Sequence, residues 1–202
     1  MRRERQRWRP LRAETRSELG LQCGTFVALS VARMTARKRP EDLLRALALN
    51  DDGAGESVAL FVGDGPLRPC LEALARELGV RAIFVGFANQ SQIGKYLSIA
   101  DTFIVSSEQD NSPKSINEAM NFGLPIICTD VVGTARDLVH EGQNGLLFGV
   151  GDIEHLSRCI ERLRDDSSLR WSMGTQSLRR VKQWSFDHNV DSIRRELRLL
   201  RN

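Results

Sequence analysis

The sequence predicts a doubly wound, Rossmann-like α/β domain built on a six-stranded parallel sheet. Two observations carry that reading. Short, continuous apolar runs recur along the chain, as strands buried on both faces require. Between them lie segments of helical spacing, punctuated by Gly and Pro. Alternation of this kind covers both faces of a parallel sheet with helices.

Each element has its own signal. Thr25–Val31 (TFVALSV) is an apolar run of strand length. Pro40–Leu49 places Leu43, Leu44 and Leu47 on one side of a helix. Val58–Val62 (VALFV) is a second strand, ended by Gly63-Asp64-Gly65-Pro66. Leu67–Leu78 is a helix stopped by Gly79, and Ala82–Val85 a third strand closed by Gly86. Gln90–Ile99 is helical and Thr102–Val105 a fourth strand. Pro113–Phe122 is a helix ended by Gly123, and Pro125–Cys128 a fifth strand. Thr134–His140 is a short helix, Gly145–Phe148 a sixth strand, and helices fill most of Ile153–Arg201.

The chain has 202 residues, enough for one domain that buries roughly 70% of its unfolded surface. The spacing divides it into a basic linker or arm over 1–23, the domain over 24–183 and a terminal helix over 184–202. A formal net charge of +3 argues against nucleic acid as a partner. Residues 1–16 nevertheless hold seven Arg against two Glu. The plain reading is a solvated linker; Trp8 favours a docked arm, and an acidic membrane surface is a fitting contact.

Cys23, Cys70, Cys128 and Cys159 show no paired spacing and read as free thiols, mostly small apolar core residues, in a reducing compartment. His140, His155 and His188 show no metal-ligand spacing. No apolar run reaches the ~18 residues of a membrane span, and the first residues lack a signal-peptide core. The expected location is cytoplasmic, with peripheral contact at the inner membrane face left open.

In such sheets a ligand sits beyond the carboxyl ends of the strands, where strand order reverses. The loop after the first strand begins at Ala32, runs to Pro40 and holds Arg33, Arg37, Lys38 and Arg39. Arg forks and a Lys point charge suit a diphosphate, although a solvated basic loop reads the same way. Gly63 and Gly65 would let backbone approach a ligand, or simply make a tight turn. The loop after the fourth strand leads through Asp110, Asn111 and Ser112 into a helix with Pro113 at its start. Free amides at such a start bind phosphate or sugar oxygens. Asp110 and Glu118 are separated by seven residues, and two carboxylates there could each hold sugar hydroxyls. Ser115-x-x-Glu118 equally fits a capping box. Glu108-x-Asp110 has the outline of a metal-binding DxD, but no second acidic cluster supports a metal.

Together these motifs resemble family 4 retaining glycosyltransferases of the GT-B fold, from about Gly24 to Asp165. Arg33-x4-Lys38 resembles the family's diphosphate-binding pair. Gly63-Asp64-Gly65-Pro66-Leu67 resembles its GxGP-L turn, and Phe84-Val85-Gly86 the strand ending near the nucleobase. Ala100-Asp101 followed by Val105-Ser106-Ser107 resembles its "AD…PS" stretch, with Val105 where Pro is usual. Asp110-x7-Glu118 followed by Gly123-x-Pro125 resembles the E-x7-E signature, with Asp in the first position. Val132-Gly133, Asp137 and Asn144-Gly145-Leu146 resemble motifs downstream.

The resemblance implies a donor-binding half that transfers a hexose from a nucleoside-diphosphate sugar to a saccharide or lipid-linked acceptor, with retention. It makes Asp110, Glu118, Arg33 and Lys38 the catalytic candidates. Donor contacts fall to Gly63, Gly65, Gly86, Phe87, Asn111, Ser112, Lys114 and Ser115. No metal or other cofactor is expected. The family's N-terminal, acceptor-binding domain has no counterpart before Gly24, so it is expected on another chain or in missing sequence. The alternative is a binding module that holds the donor and transfers nothing. A response-regulator scaffold fits poorly, because the first strand ends in Arg33 rather than in acid.

Overall fold

The computed structural model describes residues 10–50, 57–111, 114–133 and 135–184. The elements are α1 (Arg12–Glu18), β1 (Phe26–Val31), α2 (Glu41–Leu49), β2 (Ser57–Val62), α3 (Arg68–Glu77), β3 (Ala82–Gly86) and α4 (Gln90–Ile99). They continue as β4 (Thr102–Val105), α5 (Lys114–Asn121), β5 (Ile126–Thr129), α6 (Ala135–Leu138), β6 (Gly145–Phe148), α7 (Ile153–Asp165) and α8 (Ser167–Val181). The expected doubly wound sheet is present. All strands are parallel, in the order β3-β2-β1-β4-β5-β6. The order reverses between β1 and β4, which leaves a crevice at their carboxyl ends.

Alternate residues of each strand feed two cores. Val27, Leu29, Val58, Leu60 and Phe103 pack with Leu97 and Ile99 of α4 and with Ile116 and Met120 of α5. Phe26, Ala28, Ala59, Phe61 and Ile104 pack with Leu43 and Leu47 of α2, Leu71 of α3 and Leu156 and Ile160 of α7. Gly174 of α8 is a packing glycine. A Cβ there would lie 2.1 Å from the Gly123 carbonyl oxygen, so α8 can lie directly on the turn after α5.

The stretch expected to be a linker contains a docked helix. The Arg12 guanidinium donates to the carbonyl of Ser98 at 2.6 Å, and Arg16 to that of Ile99 at 3.1 Å, both at the end of α4. Arg16 also reaches the carbonyls of Gln22 and Thr25. Asp101 stands between the two arginines, at 3.5 and 3.9 Å, and accepts from the backbone N–H of Val27. Thr15 and Leu21 are buried. Sequence patterning misses this because the stretch has little apolar periodicity and docks through guanidinium-to-carbonyl bonds. Trp8 and the expected helix beyond Trp184 lie outside the described residues.

The same edge of the sheet gathers the ends of two more helices. Arg164 donates to the Asn50 carbonyl at the end of α2. Arg170 donates to the Leu163 and Arg164 carbonyls at the end of α7, and its guanidinium lies over the Phe26 ring. Arg12, Arg16, Arg164 and Arg170 line one depression of about 540 Å³. Helix carboxyl ends carry unsatisfied carbonyls and partial negative charge. Three such ends account for four arginines at the amino edge of the strands. Burial, ahead of repulsion from Arg12, lowers the Arg16 guanidinium from its ordinary value, with Asp101 opposing.

The cysteines divide rather than sharing a core role. Cys128 and Cys159 are buried, whereas Cys23 and Cys70 are exposed. Burial pushes the Cys128 thiol up to about 12 and the Cys159 thiol up to about 11.

Two measurements check this description. Replacing Arg16 by Ala strips donors from three carbonyls and should cost about 2 kcal/mol in urea unfolding, whereas exposed Arg76→Ala should stay within about 0.5 kcal/mol. A thiol-reactive dye at pH 8 should label Cys23 and Cys70 promptly, and the other two only on unfolding. Fast labelling of Cys128 would contradict its burial.

Candidate functional site

The crevice between β1 and β4 is built from the two loops that leave those strands. The β1 loop is fixed first by its neighbour after β2. Ala32 N–H donates to Val62, Met34 N–H to the Asp64 carbonyl and Leu67 N–H to the Met34 carbonyl. This backbone zipper demands glycine. A Cβ on Gly63 would sit 2.1 Å from the Ala32 carbonyl oxygen, and one on Gly65 2.4 Å from that of Met34. Gly63 also has a φ of +133°, and its N–H donates to the Gly86 carbonyl at 2.8 Å. The space that a side chain would fill at these two glycines therefore holds the backbone that carries Arg33.

The β1 loop then turns through a short 3₁₀ helix, Ala36–Lys38. Its four cations part company here. Arg39, at φ +45°, grips the buried carboxylate of Asp42 with two bonds of 2.8 and 3.0 Å. That bidentate bond with Asp42, ahead of the cost of burial, raises the Arg39 pKa. Arg39 thus anchors the start of α2. Arg37 contributes its carbonyl, which accepts from Glu108 N–H at 3.0 Å. Arg33 and Lys38 face the crevice.

The β4 loop meets this turn from the other side. The buried hydroxyl of Ser106 donates to the carbonyls of Lys38 and Arg39, at 3.0 and 2.7 Å. Thr129 of β5 donates to the Ser107 carbonyl at 2.6 Å. Lys38 Nζ is ion-paired and hydrogen-bonded to Asp110 Oδ2; both side chains are largely buried, with 20% and 15% exposed. Gly133 N–H donates to the Asp110 carbonyl, and a Cβ on Gly133 would strike the Asn111 carbonyl. That contact gives Val132-Gly133 a role in holding the Asp110 loop.

Two cavities result. The smaller, about 280 Å³, is lined by Arg33, Lys38, Ser106, Ser107, Asp110 and Ser115. The larger, about 650 Å³, runs from Arg33 past Gly63, Asp64, Gly65 and Pro66 to Phe87 and Ala88. Phe87 is 82% exposed there. Arg33 lines both cavities.

The predicted residues thus gather mostly at one edge. Arg33, Lys38, Asp110 and Ser115 share the smaller cavity, and Gly63, Gly65 and Phe87 line the larger. Gly86, at φ +85°, makes the turn before Phe87. Lys114 is exposed at the first position of α5, and Ser112 lies outside the described residues. Ser115 falls inside α5 rather than before it, so the capping-box alternative does not describe this helix. Glu118 instead accepts a hydrogen bond from the side chain of Gln90 at 2.5 Å. Sequence reading missed Ser106 and Gln90 as partners of the site. Their contacts span 68 and 28 residues and leave no local pattern. No group of three His, Cys, Asp or Glu suited to a metal occurs among the described residues. No helix among them is long and apolar enough to cross a membrane.

A family model described as "Glycosyl transferases group 1" matches residues 12–180. The chain belongs to this family. Among relatives of this group 1 chain, the lipopolysaccharide core biosynthesis glycosyltransferase LpsD of Rhizobium meliloti is 32% identical over 178 residues. That match covers 86% of the chain and 50% of LpsD. The putative glycosyltransferase EpsD of Bacillus subtilis is 26% identical, over 93% of the chain and 50% of its own length. The chain therefore spans about half the length of these curated relatives. Among solved structures, Anabaena HepE in complex with UDP superposes with a TM-score of 0.77 at 24% identity, covering 85% of the chain and 48% of HepE. The catalytic domain of a Helicobacter pylori cholesterol-alpha-glucosyltransferase superposes at 0.73 with 22% identity, over 79% of the chain and 99% of that domain. The shared architecture is the Rossmann-like half of a GT-B glycosyltransferase.

Replacing Gly63 by Ala should destabilise the fold by about 1–3 kcal/mol, through both the strained φ and the clash with Ala32. Urea unfolding measures this. An unchanged midpoint would remove the backbone-packing role given to this glycine.

Proposed function

We propose that this group 1 chain binds a nucleoside-diphosphate sugar in the crevice and serves as the donor half of a retaining hexosyltransferase. The observation that carries the reading is the meeting of Lys38 and Asp110 across the β1–β4 crevice, with Arg33 lining the same cavity. The diphosphate is assigned to Arg33 and Lys38, where a guanidinium fork and an ammonium can take up charge as the leaving group departs. No metal is required by this assignment. Asp110 is assigned the hydroxyls of the transferred sugar; Glu118, which lines neither of the two cavities, is assigned the ribose. The larger cavity, ending at exposed Phe87, is given to the nucleoside.

HepE, which has the same fold, has been solved in complex with UDP and with UDP-glucose. LpsD acts in lipopolysaccharide core biosynthesis, which supports a saccharide or lipid-linked acceptor here. Transfer needs an acceptor-binding domain facing this edge, and domain closure would exclude water. A second reading, a donor-binding module without transfer, rests on the chain covering only half of its relatives. The two readings separate on whether supplying such a second half restores sugar transfer.

Calorimetric titration with UDP and UDP-glucose, and with GDP and ADP counterparts, tests the donor assignment. The double substitution Arg33→Ala with Lys38→Ala should weaken binding roughly 100-fold or more. It also leaves the largely buried Asp110 without its partner and should lower the melting temperature, so circular dichroism at the titration temperature is used to check that the variant is folded. Binding indifferent to the double change would remove the diphosphate from this cavity.

A further inference from the structure

Glu118 lies on the second turn of α5, half-buried. Its carboxylate does not fold back on its own helix. Oε1 accepts from the side-chain amide of Gln90, the first residue of α4, at 2.5 Å. The two residues stand on separate helices of the same sheet face, joined through 28 positions of chain. Gln90 is itself held in place by the start of α4. The Gln92 side chain accepts from the Asn89 N–H at 3.1 Å, and Ser91 donates to the Asn89 side chain at 2.7 Å. Phe87, at the mouth of the larger cavity, is three residues earlier on the same loop.

We infer that Gln90 is a positioning residue for Glu118 and sets how strictly the site demands the ribose hydroxyls of its nucleotide. This rests on the donor reading given above. A Gln amide nitrogen is a donor only, and a carboxylate is an acceptor only, so the pair has one polarity. A free glutamate on a partly exposed helix face samples several rotamers. A charge-assisted bond to one oxygen removes most of that freedom and leaves the second oxygen in a fixed direction. Supporting bonds of this kind hold a site's contacting groups in productive geometry. No other hydrogen bond to the Glu118 carboxylate is made among the described residues, so Gln90 is the only contact of that kind among them.

The pairing also ties α5 to the loop that carries Phe87 and Ala88, which line the larger cavity. On the donor reading, that loop faces the nucleoside and Glu118 the ribose, so the bond joins the two elements assigned to the nucleotide. A nucleotide lacking the 2′-hydroxyl would leave an oriented carboxylate without its donor. A loose carboxylate could turn to water instead, at lower cost. Loss of Gln90 should therefore lower discrimination more than it lowers affinity for the diphosphate.

The test compares UDP, 2′-deoxy-UDP and inorganic pyrophosphate by calorimetry on the full chain, in wild type, Gln90→Ala, Gln90→Glu and Glu118→Gln. Wild type should prefer UDP over its 2′-deoxy form roughly tenfold, in line with one hydrogen bond to a charged group. Glu118→Gln should erase most of that preference. Gln90→Ala should reduce it roughly threefold, and Gln90→Glu, which sets carboxylate against carboxylate, should reduce it further. Pyrophosphate binding should not change in Gln90→Ala. If Gln90→Ala keeps the full preference while Glu118→Gln loses it, Gln90 does not position Glu118. Retention of the preference in Glu118→Gln would overturn the inference through its premise. A wild type that binds none of UDP, GDP and ADP, or ignores the 2′-hydroxyl of the one it binds, would overturn the ribose assignment and the inference together.

Discussion

Lys38 and Asp110 meet beyond the carboxyl ends of β1 and β4, where the strand order reverses. β1 and β4 are neighbours in space, yet their connections leave in opposite directions, so the loops diverge and a crevice opens between them. An ammonium from one loop and a carboxylate from the other bridge that crevice. Both are largely buried, and a half-desolvated charge is costly without its partner. The remaining ties serve the same juncture. Ser106 fixes the successive carbonyls of Lys38 and Arg39, and Gly133 admits the Asp110 loop.

Much of this was legible in the sequence because it is written locally. Continuous apolar runs located all six strands, since burial on both faces forces that pattern. The four cations of the β1 loop could be expected at the crevice because a loop after the first strand ends there; only the family resemblance picked out Arg33 and Lys38 among them. What escaped was long-range. Arg39 has the same charge as Lys38 and stands beside it, but a left-handed φ turns it toward Asp42. Nothing in the order Lys-Arg-Pro says which cation is spent on structure. The docking of α1 was equally hidden, because arginines that bind backbone carbonyls look like arginines in water.

The glycines illustrate how one motif can carry two meanings. A Gly-rich turn after a strand suits close approach of a ligand, and Gly63 and Gly65 do border the larger cavity. Their missing side chains, however, are accounted for by the Ala32 and Met34 carbonyls. Two loops can then hydrogen-bond edge to edge, and the cationic turn inherits its position from them. Sequence alone shows that a bare backbone is wanted there. Only the packing shows which neighbour wants it.

The arginine fastening at the opposite edge bears on where this domain can be cut. Gly24 looks like a natural starting point, because the first strand follows at once. A shortened polypeptide beginning there would lack Arg12 and Arg16, whose guanidinium groups donate to the Ser98 and Ile99 carbonyls at the end of α4. It would also remove the neighbours that Leu19 and Leu21 provide to the core. The smallest self-sufficient piece therefore starts ahead of the first strand, at or before Arg12, which is also where the family match begins.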